Sequence, residues 1–196
     1  MPGTPRRWLH ILALVLALGI VVAIPFLPIP WREVESLGYV GIFLVNVLGS
    51  ASLFFPVPGL AVAFVGGGLP LIPWLVALSG ALGSTIGEIT GYLAGYGGAV
   101  IVEKSKRYLQ VENWMRRYGD ITVFVMAAIP NPLFDLAGLA SGSLKFPLWR
   151  FLAAAFLGKI VKYSIVTFLG LHSLQRLLPF LSGFFPFLSG FFPPPI

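Results

Sequence analysis

Apolar residues occur along this chain in blocks, and the blocks are punctuated by proline and glycine instead of by charge. The first, Trp8 to Trp31, carries no charge, and Leu9 to Ile24 is almost wholly aliphatic, which predicts one membrane-spanning helix. Arg6 and Arg7 precede it, so a signal peptide is the competing reading. The long apolar core, the missing A-x-A site and the run into Pro25, Pro28 and Pro30 favour a signal anchor with a cytoplasmic N-terminus.

From Ser36 to Gly87 no charge occurs, a stretch too long for one span and broken by FFPVPGL at Phe54 to Leu60 and GGGLPLIP at Gly66 to Pro73. Proline removes a backbone donor and glycine weakens a helix, so polar backbone is exposed at these breaks. In lipid that is tolerated only where protein or a wet cavity receives it. A re-entrant hairpin with its tip at Pro56, Pro58 and Gly59 fits, and a full hairpin of two spans is the alternative. A complete span is expected from Ile72 to Gly98, with Gly83, Gly87, Gly91 and Gly95 at every fourth position forming a ridge for close helix packing. That ridge can pack within one chain or between two, so a homodimer stays open.

Val102 to Asp120 is the polar part of the chain. Tyr108, Val111, Met115 and Tyr118 recur at helical steps, while Lys106, Gln110, Asn113 and Arg117 form another stripe. With Lys104, Arg107 and Arg116 this predicts an amphipathic helix on an anionic lipid surface, a solvated connector being the plainer alternative. A second apolar stretch, Ile121 to Leu144, is broken by AIPNPLFD at Ala128 to Asp135 and by GLASGS at Gly138 to Ser143; its loop tip falls at Pro130 and Pro132. Phe146 to Leu171 forms a further span. The tail carries PFLSGFF twice, and its prolines predict a hairpin or irregular span instead of a regular helix.

Composition explains why these blocks need lipid. Hydrophobic residues make up 57% of the 196 and charged residues only 10%, too few to cover a particle in water. The net charge of +6 reads as topology and not as affinity for nucleic acid: with the N-terminus inside, nine basic residues face the cytoplasm and two, Arg32 and Arg176, face out. The absence of cysteine and two isolated histidines, His10 and His172, leave no metal cluster or cofactor site to expect. Catalysis is not expected either, since paired phosphatase histidines, G-x-S-x-G and clustered aspartates are all missing.

Pro56 and Pro58 align with Pro130 and Pro132, Gly68 with Gly142, and Pro73 with Pro147, each displaced by 74 positions. By the topology above, the first broken hairpin enters from outside and the second from inside. The expected fold is therefore an all-α, multi-pass membrane protein with two opposed re-entrant hairpins in an inverted repeat, an arrangement that puts its site near the bilayer midplane. The expected units are an anchor at 1–34, a core at 35–171 (halves at 35–98 and 121–171 around a cytoplasmic linker at 99–120) and a tail at 172–196.

FFPVPG followed by GGG, GSTIGEITGYLAGYGG, the amphipathic linker, AIPNPLFDLAGLASGS and FPLWRFLAAAFLGKIVKY together resemble the VTT domain of the DedA, or SNARE-associated Golgi protein, family over residues 35 to 170. The resemblance implies a prokaryotic plasma-membrane or endomembrane protein with two opposed re-entrant loops that moves lipids between leaflets. Bacterial members are linked to recycling undecaprenyl phosphate or phosphatidylethanolamine, some with proton coupling, and eukaryotic relatives are scramblases. This chain departs from the common bacterial pattern R-F-x-P-x-x-R: Ala128, Pro130 and Phe134 fill that neighbourhood, with Asp135 as its charge, and the acids of the first loop are absent between Ser36 and Gly87.

Four ionisable residues fall inside apolar blocks: Glu88, Asp135, Lys159 and Lys162. At about 2.5–3.5 kcal/mol each, four unpaired charges at mid-bilayer would cost ~10–14 kcal/mol, comparable to the whole stability of a domain. They must be paired, hydrated or neutral. Lys159 and Lys162 share a helix face. The lysines would attract a lipid phosphate, the carboxylates an amine or proton, and Asn131 would offer donors at the second loop tip, while a structural pairing of Glu88 with a lysine is the bland alternative.

Overall fold

The computed structural model describes residues 31–51, 59–69, 71–97, 105–130 and 133–184, and every regular element among them is a helix. These are α1 (Trp31–Ala51), α2 (Gly59–Gly68), α3 (Pro73–Tyr96), α4 (Lys106–Tyr118), α5 (Asp120–Ala128), α6 (Phe134–Ser143) and α7 (Leu148–Phe184). Residues 1–30 of the N-terminal anchor, the loop-tip prolines Pro56, Pro58 and Pro132, and Asn131 lie outside the described residues.

Local chemistry sets most helix ends. Pro73 occupies the first turn of α3, where a missing amide hydrogen costs nothing, and the Ile72 amide donates to the Tyr39 hydroxyl at 2.9 Å. The Ser105 hydroxyl caps α4 by accepting from the Tyr108 amide at 3.2 Å. Between α4 and α5 the chain turns at Gly119, whose φ of 47° lies in the left-handed region that glycine enters without strain.

Two sequence expectations give way here. The GLASGS segment does not break the second hairpin: α6 runs through it to Ser143, because the helix lies so close to α3 that only small residues fit. A Cβ on Gly142 would collide with the Tyr92 carbonyl, and one on Gly95 with that of Leu139. Nor is the start of the tail irregular, since α7 continues through Pro179 to Phe184.

Helices α3 and α7 form the centre and run antiparallel. Along their contact Tyr92 meets Phe151, Glu88 and Ser84 meet Lys159, Gly80 meets the Tyr163 ring, and Trp74 meets Phe168, so one number falls as the other rises. Helix α1 packs along α3 and α5 along α7; short α2 lies on α7 and short α6 on α3. Exchanging α1, α2 and α3 with α5, α6 and α7 reproduces this set of pairings. The glycine ridge of α3 is divided between two neighbours: Gly83 and Gly87 abut the α1 backbone at Phe43 and Val47, Gly95 abuts α6, and a Cβ at Gly91 would meet nothing within 4 Å.

Outward faces are apolar. Trp74, Leu78 and Ile86 of α3 and Trp149, Leu157 and Ile165 of α7 are exposed. Among the described residues the Leu148–Leu174 part of α7 is long and apolar enough to cross a bilayer by length and composition. Helix α3, at 24 residues, has the length, and its glycine, serine and threonine lower its hydropathy.

Candidate functional site

The polar residues of the fold gather in its middle. Helix α7 turns Lys159, Tyr163 and Thr167 inward at four-residue steps, all buried. Lys159 is 1% exposed, and its ammonium donates to Glu88 Oε1 at 2.7 Å, to Ser84 Oγ at 2.6 Å and to the Ser84 carbonyl at 2.8 Å. Three donors thus meet three acceptors, all on α3. Glu88, 5% exposed, sits one turn beyond Ser84 on the same face.

The network extends to α1. Ser84 Oγ lies 2.7 Å from Ser50 Oγ, and Tyr163 donates to Asn46 Oδ1 while Asn46 Nδ2 donates to the Ile42 carbonyl at 2.8 Å. Asn46 leaves no room beside it, since a Cβ on Gly59, the first residue of α2, would run into its amide oxygen. The Thr167 hydroxyl is buried with no partner among the described residues.

At the other end of the same face stands the first turn of α6. The Phe134 ring covers both cations, 5.0 Å from Lys159 Nζ and 5.9 Å from Lys162 Nζ, within the range of a cation–π attraction. Lys162 is half-buried and makes no ion pair among the described residues; Asp135, next to Phe134, is exposed. The four charges therefore divide into a sealed pair, Glu88 and Lys159, and an open pair, Lys162 and Asp135. The repeat alignment sets Glu88 opposite Lys162, but the ion pair falls on Lys159.

Depth follows from helix geometry. Ser84 and Lys159 each lie eleven residues beyond the first residue of their helix. At 1.5 Å per residue that is ~17 Å along each axis, a length comparable to half of a hydrocarbon layer of about 30 Å. No group of three or more metal-ligating side chains occurs among the described residues.

Pro130 is exposed just past α5, and Gly59 is buried. Ser84, Ser50, Asn46 and Tyr163 are members of the network that sequence reasoning passed over. The sequence signal for Tyr163 is its four-residue spacing from Lys159 in a largely apolar helix.

Comparison with known proteins places these features in a family context. The VTT domain profile matches residues 57–172, which include the whole polar network except the α1 residues. The vacuole membrane protein KMS2 of Arabidopsis thaliana is 38% identical over 68 residues, 32% of this chain and 16% of that protein. Vacuole membrane protein 1 of Mus musculus is 36% identical over 84 residues, 39% of this chain and 20% of its own length. An uncharacterized protein of Methanocaldococcus jannaschii is 27% identical over 138 residues, 68% of this chain and 84% of that one. The chain thus spans a fifth or less of the vacuole membrane proteins it matches. No solved structure matches it.

Proposed function

The chain belongs to the VTT domain family and is a membrane protein, and from that premise we propose that it moves phospholipid between bilayer leaflets in the manner of a scramblase. The observation that carries the reading is the Lys159–Glu88 pair, buried on the contact between α3 and α7, with half-buried Lys162 and exposed Asp135 nearby.

In this reading the chain is multi-pass, with a cytoplasmic N-terminus in a prokaryotic plasma membrane, and its two halves are an inverted repeat with α2 and α6 as the inner arms of two re-entrant hairpins. The exchange-symmetric pairings and the antiparallel contact of α3 with α7 support it. So does the 74-residue offset, which aligns Ser84 with Gly158, the neighbour in sequence of the Lys159 that Ser84 meets; in this reading a pseudo-two-fold axis would pass beside Lys159.

A lipid crossing the bilayer must carry its charged headgroup through a layer where an ion is costly. Lys162 offers the phosphate a charge-assisted hydrogen bond, and Asp135 offers one to an ammonium group. Parting of the halves at α3 and α7 would release Lys159 and Glu88 as the next partners, while the acyl chains stay in lipid against the apolar outer faces. Proton exchange on Glu88 or Asp135 would make the process coupled, and a rate that follows an imposed pH gradient distinguishes that version from passive exchange.

A small-solute or ion transporter built on the same repeat is the alternative, together with a structural role in which the charges only hold the halves together. Saturation of Lys159 by three acceptors favours the structural role over the solute transporter. Purified protein in vesicles bearing fluorescent-headgroup phospholipids decides between these. The proposal expects leaflet exchange faster than in protein-free vesicles and slowed by Lys162→Gln; exchange equal to the protein-free rate overturns it.

A further inference from the structure

Helix α4 turns Tyr108, Val111 and Met115 inward onto α6, where the Tyr108 hydroxyl meets Ser143 Oγ at 2.8 Å. Its outer face does not look like that of a helix made only to face water. Trp114 and Tyr118 are 48% and 50% exposed, and with Ile121, Thr122, Val125 and Met126 of α5 they line an open groove of about 230 Å³. Thr122 fixes one wall by donating to the Trp114 carbonyl at 3.0 Å. The turn at Gly119 sets the angle between the two helices.

The rim of this groove is basic. Arg117 lies over the Tyr118 ring at 5.2 Å, and Arg107 stands on the same helical stripe as Trp114, two turns earlier. Glu112 is the one acid of α4, and Arg116 occupies it at 2.8 Å. Lys106, Arg107 and Arg117 have no ion pair among the described residues. An apolar channel with an uncompensated cationic rim matches a ligand with an apolar chain and an anionic head.

We propose that this groove is a binding site for one anionic phospholipid, with an acyl chain lying along Trp114, Tyr118, Ile121 and Val125 and its phosphate held by Arg117, with Arg107 adding to the attraction. The site lies at the joint of α4 and α5, on residues the α3–α7 network does not use. It rests on the membrane reading above, though not on transport.

The test uses full-length protein stripped of lipid in detergent and native mass spectrometry with phosphatidylglycerol and phosphatidylcholine of identical chains. One phosphatidylglycerol should be retained about tenfold more strongly than phosphatidylcholine, the size of one charge-assisted hydrogen bond. Arg107→Gln with Arg117→Gln should remove that preference, while Arg→Lys at both positions keeps it. Phosphatidylglycerol brominated in its chains should quench tryptophan fluorescence saturably, and Trp114→Phe should abolish the saturable part. Equal retention of the two lipids, wild-type preference in the double glutamine variant, saturable quenching that survives Trp114→Phe, or displacement of the lipid by glycerol phosphate each overturns the proposal. Retention in detergent involves no leaflet exchange, so its failure is separate from failure of the transport reading.

Discussion

Lys159 and Glu88 meet across the antiparallel contact of α3 and α7, Nζ to Oε1 at 2.7 Å, and Ser84 supplies the remaining two acceptors of the ammonium. Taking two ions out of water is costly, and their attraction offsets this only when the other hydrogen-bonding valences are filled. Here the lysine's valences are filled by one turn of α3. The pair joins α3 to α7 at a point where neither ion meets water.

Removing one partner of this pair should be far worse than removing both. Glu88→Gln leaves the Lys159 ammonium buried without its counterion and should cost about 3–5 kcal/mol, whereas Glu88→Leu with Lys159→Met should unfold near the wild-type temperature. Thermal unfolding in detergent, followed by tryptophan fluorescence, checks the order of the three proteins.

The α3 glycines should differ sharply along one ridge. Gly83→Ala drives a methyl group into the Phe43 carbonyl and should destabilise by about 1–3 kcal/mol. Gly91→Ala meets open space and should be neutral, or stabilising by up to ~1 kcal/mol through helix propensity. The same unfolding measurement, made on the two variants side by side, tests whether the ridge is packed at Gly83 and open at Gly91.

Tyr163→Phe removes the donor that reaches Asn46 Oδ1 and leaves a buried acceptor unsatisfied, with an expected cost of about 1–3 kcal/mol. Asn46→Leu alone should cost at least as much by crowding Gly59. If the two effects come from one hydrogen bond, a double-mutant cycle will show them to be strongly non-additive.

Arg150 and Asp120 tie the first turn of α7 to the first turn of α5, both side chains close to half exposed. Exposed pairs contribute little, so Arg150→Gln should change stability by no more than ~1 kcal/mol. Repeating the melt at high salt should shrink the difference further.

Much of this was legible in the sequence because charges are conspicuous in apolar runs. Glu88 and the two lysines stand out on that ground alone. Which lysine meets Glu88 was not legible. Lys159 and Lys162 share a helix face, and the choice between them is made by the register of α3 on α7, a tertiary quantity. Glycine was ambiguous for a related reason: GLASGS reads as a break by propensity, yet Gly142 is small because the Tyr92 carbonyl lies against it. Serine, asparagine and tyrosine in apolar helices carry little signal singly, so Ser84, Asn46 and Tyr163 became visible only once three helices were brought together. The run through Pro179 marks another limit, since a proline inside a long helix is a local penalty that the rest of the helix outweighs.

Leaflet exchange by the Glu88→Leu, Lys159→Met protein in vesicles is the most direct test of the role given to the buried charges, because this variant is expected to fold without them. With fluorescent-headgroup phospholipid and a membrane-impermeant quencher, wild-type protein should make both leaflets accessible faster than protein-free vesicles do, and the double variant should fall to the protein-free rate. A folded double variant that exchanges lipid as fast as wild type would contradict the account and leave the Glu88–Lys159 pair as structure alone.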